Sequence, residues 1–262
     1  FSQEGVQEVS NGSFSQEGAE EVTNGDFSNG QISWTVSGEN ATHIATFNGD
    51  TLRYQSDTTS PQLIVAQGNV LVVGKIYKIT IDVKTLTSGS LKSDSLGGLN
   101  ITPSVGINTF YATATGTTFN ITRATTNVDI IIDNVSVKEV GQDWSLGGEV
   151  TIGDNLAHFE SNTNTYSYIR QDISSLTSKT YKIQLEVKNY VSGAVQVAFS
   201  GASPITQNLN ISTDGVYTAY LTPNANGDDF EVSREFNGGN FNFDITNISV
   251  KEVGQDWTLG SG

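Results

Sequence analysis

The chain of 262 residues is strongly acidic, with 28 Asp and Glu residues and 13 Lys and Arg residues, and this excess limits the classes of partner it can bind. The net charge of −15 repels phosphate backbones and anionic lipid surfaces, so nucleic acid is not an expected partner. The sequence contains no run of 18 apolar residues, so no segment is expected to span a membrane. The absence of cysteine excludes disulfides, thiolate metal sites and a cysteine nucleophile.

The N-terminus carries two successive copies of a 13-residue unit, FSQEGVQEVSNGS at 1–13 and FSQEGAEEVTNGD at 14–26. The second copy leads into the first strand of a domain, so the first copy predicts a spare strand within an extended N-terminal segment at 1–20. The chain begins with Phe1 rather than Met. We therefore expect a processed product or an internal piece of a longer protein.

A long internal repeat organises the rest of the chain. The string SVKEVGQDW occurs at 136–144 and again at 249–257, and KIYKITIDVKTL at 75–86 aligns with KTYKIQLEVKNY at 179–190. A period near 110 residues is typical of tandem whole domains. We predict a first module at 21–141, a second at 142–254, and the start of a truncated third repeat at 255–262.

Apolar and polar residues alternate within each repeat, which predicts half-buried strands. The clearest examples are Tyr77, Ile79, Ile81 and Val83, and their repeats Tyr181, Ile183, Leu185 and Val187. Turn-forming residues separate many such short runs, and no stretch has a helical stripe. The predicted fold class is all-β, with two tandem antiparallel β-sandwich (jelly-roll) domains. Trp34 and Trp144, near the start of each repeat, are expected in the cores.

Three stretches carry a family resemblance: EEVTNGDFSNGQISW at 20–34, GKIYKITIDV at 74–83 and IDNVSVKEV at 132–140. They resemble the jelly-roll carbohydrate-binding modules of the galactose-binding-like superfamily, and above all the tandem copies in bacteriophage tail-fibre and virion surface proteins. The resemblance implies a non-catalytic adhesion module on a virion fibre or other extracellular fibre. Its expected partner is a bacterial surface glycan.

The same resemblance implies a structural calcium ion that bridges the first and last strands. The matching positions are Asp26, with neighbouring backbone oxygens, and Asp133. In the second module Thr246 replaces the second of these, so Asp244, two residues earlier, would have to substitute. The alternative is that Asp26 only forms a turn and that Asp133 is a solvated strand residue.

Glycan binding requires an exposed aromatic ring for the C–H face of a sugar, and polar groups for its hydroxyls. In TYSYIRQDI, Tyr166, Tyr168 and Arg170 share one strand face, while Ile169 and Ile173 take the other. These three residues are the candidate site of the second module.

Four further residues are glycan-binding candidates. Arg53 and Tyr54, adjacent in TLRYQSD, are the candidates of the first module. Arg123 and Arg234 follow FNIT and FEVS at matching places in the two repeats. Each of these two arginines is expected either to bind a ligand hydroxyl or to pair with a surface carboxylate.

Catalysis finds little support in the sequence. The two histidines, His43 and His158, do not align between the repeats, and no nucleophile triad, metal-binding histidine pair or phosphate loop is evident. We therefore expect no enzyme.

A second hypothesis follows from a mismatch between the modules. The first module is preceded by a surplus strand, whereas the second passes from Gly141 and Gln142 directly to its tryptophan and lacks a first strand of its own. The chain would then be a structural fibre subunit in which residues 1–13 dock on the second module of a neighbour. The alternative is that residues 1–13 are a flexible spacer.

Overall fold

The computed structural model describes residues 3–101, 104–163, 165–201, 204–234 and 239–254, and the predicted third repeat at 255–262 lies outside them. The all-β fold class is confirmed, because nearly every element in these ranges is a β-strand and all the strand pairs are antiparallel. None of the helical structure in the described ranges is long and apolar enough to cross a membrane.

The chain divides into two compact units, and the division does not simply follow chain order. Glu17–Val140 forms one unit, called here the first module. Phe1–Gln16 joins the chain from Gly141 onward to form the other, called the second module. The predicted segment at 1–20 therefore does not stand apart, because its residues are shared between the two modules.

The first module contains strands β2–β12 and one short 3-10 helix at Asp94–Leu96. Its strands are β2 (Glu17–Glu20), β3 (Thr35–Ser37), β4 (Ile44–Phe47), β5 (Leu52–Ser56), β6 (Ile64–Gln67), β7 (Ile76–Ser88), β8 (Leu91–Ser93), β9 (Leu99–Ile101), β10 (Gly106–Thr113), β11 (Phe119–Arg123) and β12 (Val128–Val140).

The second module contains β1 and the strands after β12. They are β1 (Glu4–Gln7), β13 (Ser145–Gly147), β14 (Val150–Gly153), β15 (Leu156–Ser161), β16 (Tyr168–Gln171), β17 (Thr180–Ser192), β18 (Val195–Ser200), β19 (Ile205–Leu209), β20 (Gly215–Leu221), β21 (Asp229–Arg234) and β22 (Phe241–Val253).

Both modules have the same topology. In the first, one sheet has the order β10-β7-β12-β5-β4 with β2 also on β12, and the other has the order β3-β6-β11-β8-β9. In the second, the matching sheets are β20-β17-β22-β15-β14, with β1 also on β22, and β13-β16-β21-β18-β19. Strands β1 and β2 therefore occupy the same position in two copies of one sandwich.

The cores form as the alternation predicts. The inward residues of β7, from Tyr77 to Val83, are at most 1% exposed, and they pack with residues of the facing sheet such as Phe119. Trp34 and Trp144 are 4% and 6% exposed, which confirms them as core residues. Burial of this apolar surface drives the formation of each sandwich.

A bulge in the last strand of each module divides its edge between two partners. Asn134 in β12 and Asn247 in β22 have left-handed backbone angles, φ 47° and 49°, which asparagine tolerates better than most residues. In the second module β15 pairs with β22 before the bulge, and β1 pairs with it afterwards. The first module uses β5 and β2 in the same way.

The missing first strand of the second module is thus supplied by the first 13-residue copy. We call Glu4–Phe14 the first segment copy and Glu17–Phe27 the second. Val9 and Phe14 of the first copy are 5% and 2% exposed in the second module, and Val22 and Phe27 fill the matching places in the first module. The expectation of a flexible spacer at 1–13 does not describe this arrangement.

Candidate functional site

A compact group of polar and aromatic side chains lies on the outward face of β16 in the second module. Strand alternation buries Ile169 and leaves Tyr168 and Arg170 half-exposed, while Tyr166, just before the strand, is 41% exposed. The ring centroids of Tyr166 and Tyr168 are 5.4 Å apart, and the Arg170 guanidinium carbon lies 4.6 Å from the Tyr168 centroid. The three residues therefore share one face, as the sequence predicts.

A buried carboxylate holds this group together. Glu231, 1% exposed on β21, accepts hydrogen bonds from Arg170 Nε at 3.0 Å and Nη2 at 2.6 Å, and also from the Tyr166 hydroxyl. Burial and this hydrogen bond raise the pKa of Tyr166 to about 12. We call Tyr166, Tyr168, Arg170 and Glu231 the tyrosine–arginine cluster. Sequence analysis did not find Glu231.

A glycine on the neighbouring strand makes room for the cluster. Gly147 in β13 is the register partner of Tyr168, and a Cβ atom at this glycine would lie 2.2 Å from the ring atom Cε1. Only glycine therefore lets the ring lie across β13. The pair Gly147–Gly148, just before β14, is the sequence signal that could have indicated this close approach.

An open groove of about 540 Å³ adjoins the cluster in the same module. The groove is lined by exposed carboxylates and by small polar side chains: Glu149, Thr151, His158, Glu160, Ser161, Asn162 and Thr163. Its link to the cluster is short, because the Glu149 amide donates to Ser167 Oγ at 3.0 Å, and Ser167 lies between the two tyrosines. We call this surface the acidic groove.

Three of the other glycan-binding candidates are placed differently from the prediction. Tyr54 is fully buried, and its hydroxyl donates to the Leu63 carbonyl at 2.7 Å, so its prediction as an exposed platform is wrong. The reason is the alternation of β5, which turns Tyr54 inward and Arg53 outward. Arg53 is exposed and forms a bidentate ion pair with Asp129, in which Nε lies 2.9 Å from Oδ1 and Nη2 lies 2.8 Å from Oδ2.

The two matching arginines do not present open surface groups either. Arg234 is 2% exposed, with its guanidinium carbon 5.7 Å from the centroid of the Phe241 ring, so it is a buried residue and not an open surface group. Arg123 donates to backbone carbonyls of the loop after β5, including those of Asp57 and Thr59. Its position holds this loop in place instead of pairing with a surface carboxylate.

A serine, a histidine and an aspartate come together under that loop. Ser56 Oγ lies 2.8 Å from His43 Nδ1, and His43 Nε2 lies 3.5 Å from Asp57 Oδ1. Hydrogen bonds from Thr59 lower the pKa of Asp57 to about 2. However, Ser56 is 3% exposed and His43 is fully buried, so a substrate cannot reach the hydroxyl. These residues support the loop.

The residues proposed for calcium have protein partners. Asp26 Oδ1 accepts from the amide and hydroxyl of Ser28, at 3.2 and 3.0 Å, which is the geometry of a turn. Asp133 is 7% exposed, so it is not a solvated residue, and it accepts from the Asn134 amide at 2.6 Å and lies 3.3 Å from Lys84 Nζ.

The substitute in the second module is also engaged. Asp244 lies 2.7 Å from His158 Nδ1 and accepts from Asn189 Nδ2 at 2.6 Å. Among the residues that the structure describes, no group of three or more acidic or histidine side chains is arranged to hold a metal ion. Calcium binding stays a prediction.

A second exposed tyrosine escaped the sequence analysis. Tyr220 on β20 is 57% exposed, and Val216 on the same face of the strand is 65% exposed. The sheet register matches Tyr220 with Tyr111 of the first module, because Gly106 and Gly215 hold equivalent places opposite β7 and β17. The period-two alternation of β20 is the sequence signal that could have indicated the outward position of Tyr220.

No protein-family model matches the chain, and no curated protein matches it. Among solved structures, it is similar to the tandem CBM22-1–CBM22-2 domain of Xyn10C from Paenibacillus barcinonensis, with 11% identity, a TM-score of 0.35, and coverage of 91% of this chain and 99% of that one. It is also similar to allantoicase from Saccharomyces cerevisiae, with 8% identity, a TM-score of 0.34, and coverage of 78% and 81%. A structure of Sulfolobus Turreted Icosahedral Virus matches with 15% identity and a TM-score of 0.25, over 85% of this chain and 60% of that one.

Proposed function

We propose that the chain is a non-catalytic carbohydrate-binding module of a virion fibre or another extracellular fibre, and that its second module binds a bacterial surface glycan. The observation that carries this proposal is an exposed Tyr166 ring beside a groove lined by hydroxyl, amide and carboxylate groups. An aromatic ring suits the C–H face of a sugar, and convergent polar groups suit its hydroxyls.

The tyrosine–arginine cluster is suited to binding because its parts are already fixed. Tyr166 is held at its hydroxyl by Glu231 and at its ring by Tyr168, and Arg170 is held by the same carboxylate. A side chain that is ordered before binding loses little conformational entropy when a ligand arrives. This favours Tyr166 as the platform over a mobile surface tyrosine.

The charge of the site indicates the class of glycan. Glu149 and Glu160 are exposed in the acidic groove, and the positive charge of Arg170 is already paired with Glu231. Carboxylates accept hydrogen bonds from sugar hydroxyls and attract ammonium groups, but they repel acidic sugars. We propose neutral or amino sugars as ligands.

An array of neutral, amino and acidic bacterial glycans tests the proposal with the full chain. Binding to neutral or amino glycans should fall at least tenfold with Tyr166→Ala and by less with Tyr166→Phe, which keeps the ring but loses the hydrogen bond that holds it to Glu231. Tyr220→Ala is the matched control, since it removes an exposed tyrosine of the same module elsewhere. No binding across the array, or equal loss in the control, would count against the proposal.

A second candidate function is supported by a separate observation. The first segment copy fills a strand position of a module that is distant from it in sequence. We propose as the alternative that the chain is a structural fibre subunit whose modules are completed by strand addition, without a ligand.

A further inference from the structure

We infer that the second module is a binding site for an extended acidic peptide, and that its partner is the first segment copy, Glu4–Phe14, of a second molecule of this chain. This inference rests on the structural role given above as the alternative function. Chains that exchange this segment would be linked head to tail through strand addition.

The backbone of the first segment copy pairs with β22 along the part of that strand that follows the bulge. The Glu8 amide donates to the Val250 carbonyl at 2.9 Å, and the Ile248 amide donates to the Gly12 carbonyl at 2.9 Å. Gln7 Nε2 adds a third bond, to the Ile248 carbonyl at 3.0 Å. Without the segment, this edge of β22 would leave backbone groups without strand partners.

Side chains on both sides of the segment give the site its specificity. Glu4 accepts from Lys182 at 2.6 Å and from Lys251 at 3.2 Å. Gln171, 7% exposed, brackets Ser10 by accepting from its amide at 2.6 Å and donating to its carbonyl at 3.2 Å. The site therefore selects an acidic residue at one end and fixes the backbone register at the centre.

An apolar socket receives the other end of the segment. The Phe14 ring lies 5.5 Å from the Trp144 ring, and Trp144 Nε1 donates to the Asn11 carbonyl at 3.1 Å. A side chain at Gly12 does not fit, because a Cβ atom there would lie 2.1 Å from the Ile248 carbonyl oxygen. The segment is thus recognised by a defined pattern: an acid, then a valine, a glycine and a phenylalanine.

The covalent route to this site differs between the two modules, and the difference favours exchange. In the first module, Asn24 of the second segment copy also bonds the carbonyls of Gly30 and Ile32, so the copy is closed by its own neighbourhood in sequence. In the second module, Asn11 donates instead to the Gln142 carbonyl, and the whole first module lies between them in sequence.

The site therefore belongs to Gly141–Val253, while the residues that follow Phe14, including the whole first module, lie between it and its occupant in sequence. A second molecule presents an identical segment, so docking in trans makes the same contacts as docking in cis. Docking in cis is favoured by its effective concentration, and docking in trans rises as the protein is concentrated. Because the donor and acceptor surfaces differ, repeated exchange builds rings or open filaments.

Disulfide trapping in the full chain tests this inference, because the chain has no natural cysteine. Glu4 and Val253 are register partners in the β1–β22 pair, at a spacing that suits a disulfide. One tagged chain carries only Glu4→Cys and a differently tagged chain carries only Val253→Cys. They are unfolded, mixed and refolded together from micromolar to millimolar concentration.

We expect a disulfide-linked heterodimer whose fraction rises with concentration. The matched control replaces the acceptor variant by Val191→Cys, an exposed position at the end of β17 opposite to the one that pairs with Val253, and should give at least tenfold less heterodimer. Adding Gly12→Val to the donor chain should abolish the product, because its side chain meets the Ile248 carbonyl.

The inference is overturned if the double variant Glu4→Cys/Val253→Cys closes within one chain while the single variants give no heterodimer above the control at any concentration. If cysteine disturbs folding, wild-type chains with two different tags are refolded together, and the absence of mixed oligomers at every concentration overturns it instead. Neither outcome depends on glycan binding, so the carbohydrate proposal stands or falls separately.

Discussion

The indole nitrogen of Trp144 donates to the backbone carbonyl of Asn11 at 3.1 Å, although the two residues are 133 positions apart in the chain. In the first module Trp34 makes the same bond to Asn24 at 2.9 Å, across only 10 positions. The same tryptophan contact thus closes one module locally and the other through a distant segment. The second module is therefore complete only when the first segment copy is docked on it.

Gly12→Ala should loosen the second module without affecting the first. Its Cβ atom would lie 2.1 Å from the Ile248 carbonyl oxygen, and overpacking of this kind costs about 2–3 kcal/mol of stability. Hydrogen exchange, followed on peptides from β22 and β12, measures each module separately. We expect faster exchange in β22 alone.

Gly25→Ala is the matched counterpart, since its Cβ atom would lie 2.0 Å from the Val135 carbonyl oxygen in the first module. It should accelerate exchange in β12 alone. Gly68→Ala, whose Cβ atom meets only Thr118 Oγ1 at 4.0 Å, should change neither strand. Equal effects of Gly12→Ala on β22 and β12 would contradict the assignment of the segment to the second module.

Phe14→Ala should undock the first segment copy. Phe14 is 2% exposed against Trp144, and truncation of a buried phenylalanine costs about 3–5 kcal/mol. Trp144 fluorescence, measured in a chain with Trp34 and Trp257 changed to Phe, should shift to the red as water reaches the indole. Ser15→Ala, at an exposed neighbouring position, is the control and should leave the spectrum unchanged.

Acid should weaken the docking of the first segment copy. Hydrogen bonds from Lys182 and Lys251 lower the pKa of Glu4 below its ordinary value of 4.5. A lowered folded-state pKa contributes stability that is present above the unfolded pKa and is lost as the pH falls through the folded value. We therefore expect the segment to loosen as the pH falls below about 4.5 and then through the lowered pKa of Glu4.

The measurement for this effect is Trp144 fluorescence across an acid titration, with Glu4→Gln as the comparison. This comparison removes the contribution of Glu8, whose pKa is raised by burial and by Glu252 and which acts in the opposite direction. Glu4→Gln should flatten the acid transition. An identical acid midpoint and slope in both chains would refute the role of Glu4.

The fold could be predicted from the sequence because its signals are local and repeated. The alternation from Tyr77 to Val83 has one inward face, and the structure buries that face. The missing first strand of the second module was also evident from the absence of a segment before Trp144. The partner strand could not be assigned within or between chains, because an identical sequence makes the same contacts in both.

The candidate site was predictable only in part. Alternation alone placed Tyr168 and Arg170 together, since they are two residues apart on one strand. Glu231 lies on another strand, so its approach depends on sheet order, which periodicity does not encode. Tyr54 was misplaced because its hydroxyl finds a buried carbonyl acceptor, and an aromatic residue with such a partner is as stable inside as a purely apolar one.

Tyr54→Phe should separate this core role from glycan binding. Loss of the hydrogen bond to the Leu63 carbonyl leaves a buried acceptor without its donor, at a cost of about 1–3 kcal/mol. Chemical denaturation measures this loss, and glycan binding at the second module should be unchanged. Weaker glycan binding with unchanged stability would restore Tyr54 as a binding residue.

The ionisation of Tyr166 tests the tyrosine–arginine cluster directly. Burial and the hydrogen bond to Glu231 raise its pKa to about 12, so the neutral phenol is favoured in the folded state. The stability from this phenol is present below the ordinary tyrosine pKa of about 10 and is lost as the pH rises through the folded value.

Carbon NMR of ring-labelled tyrosine follows the ionisation of each tyrosine through this pH range. In Glu231→Gln the pKa of Tyr166 should fall but stay above the ordinary value, because burial remains. Tyr217 is the internal control, since its lowered pKa has its main cause in a hydrogen bond with Thr213 and should not respond. A wild-type Tyr166 that titrates near the ordinary value would mean that Glu231 does not hold this ring, and the fixed platform on which glycan binding is argued would be lost.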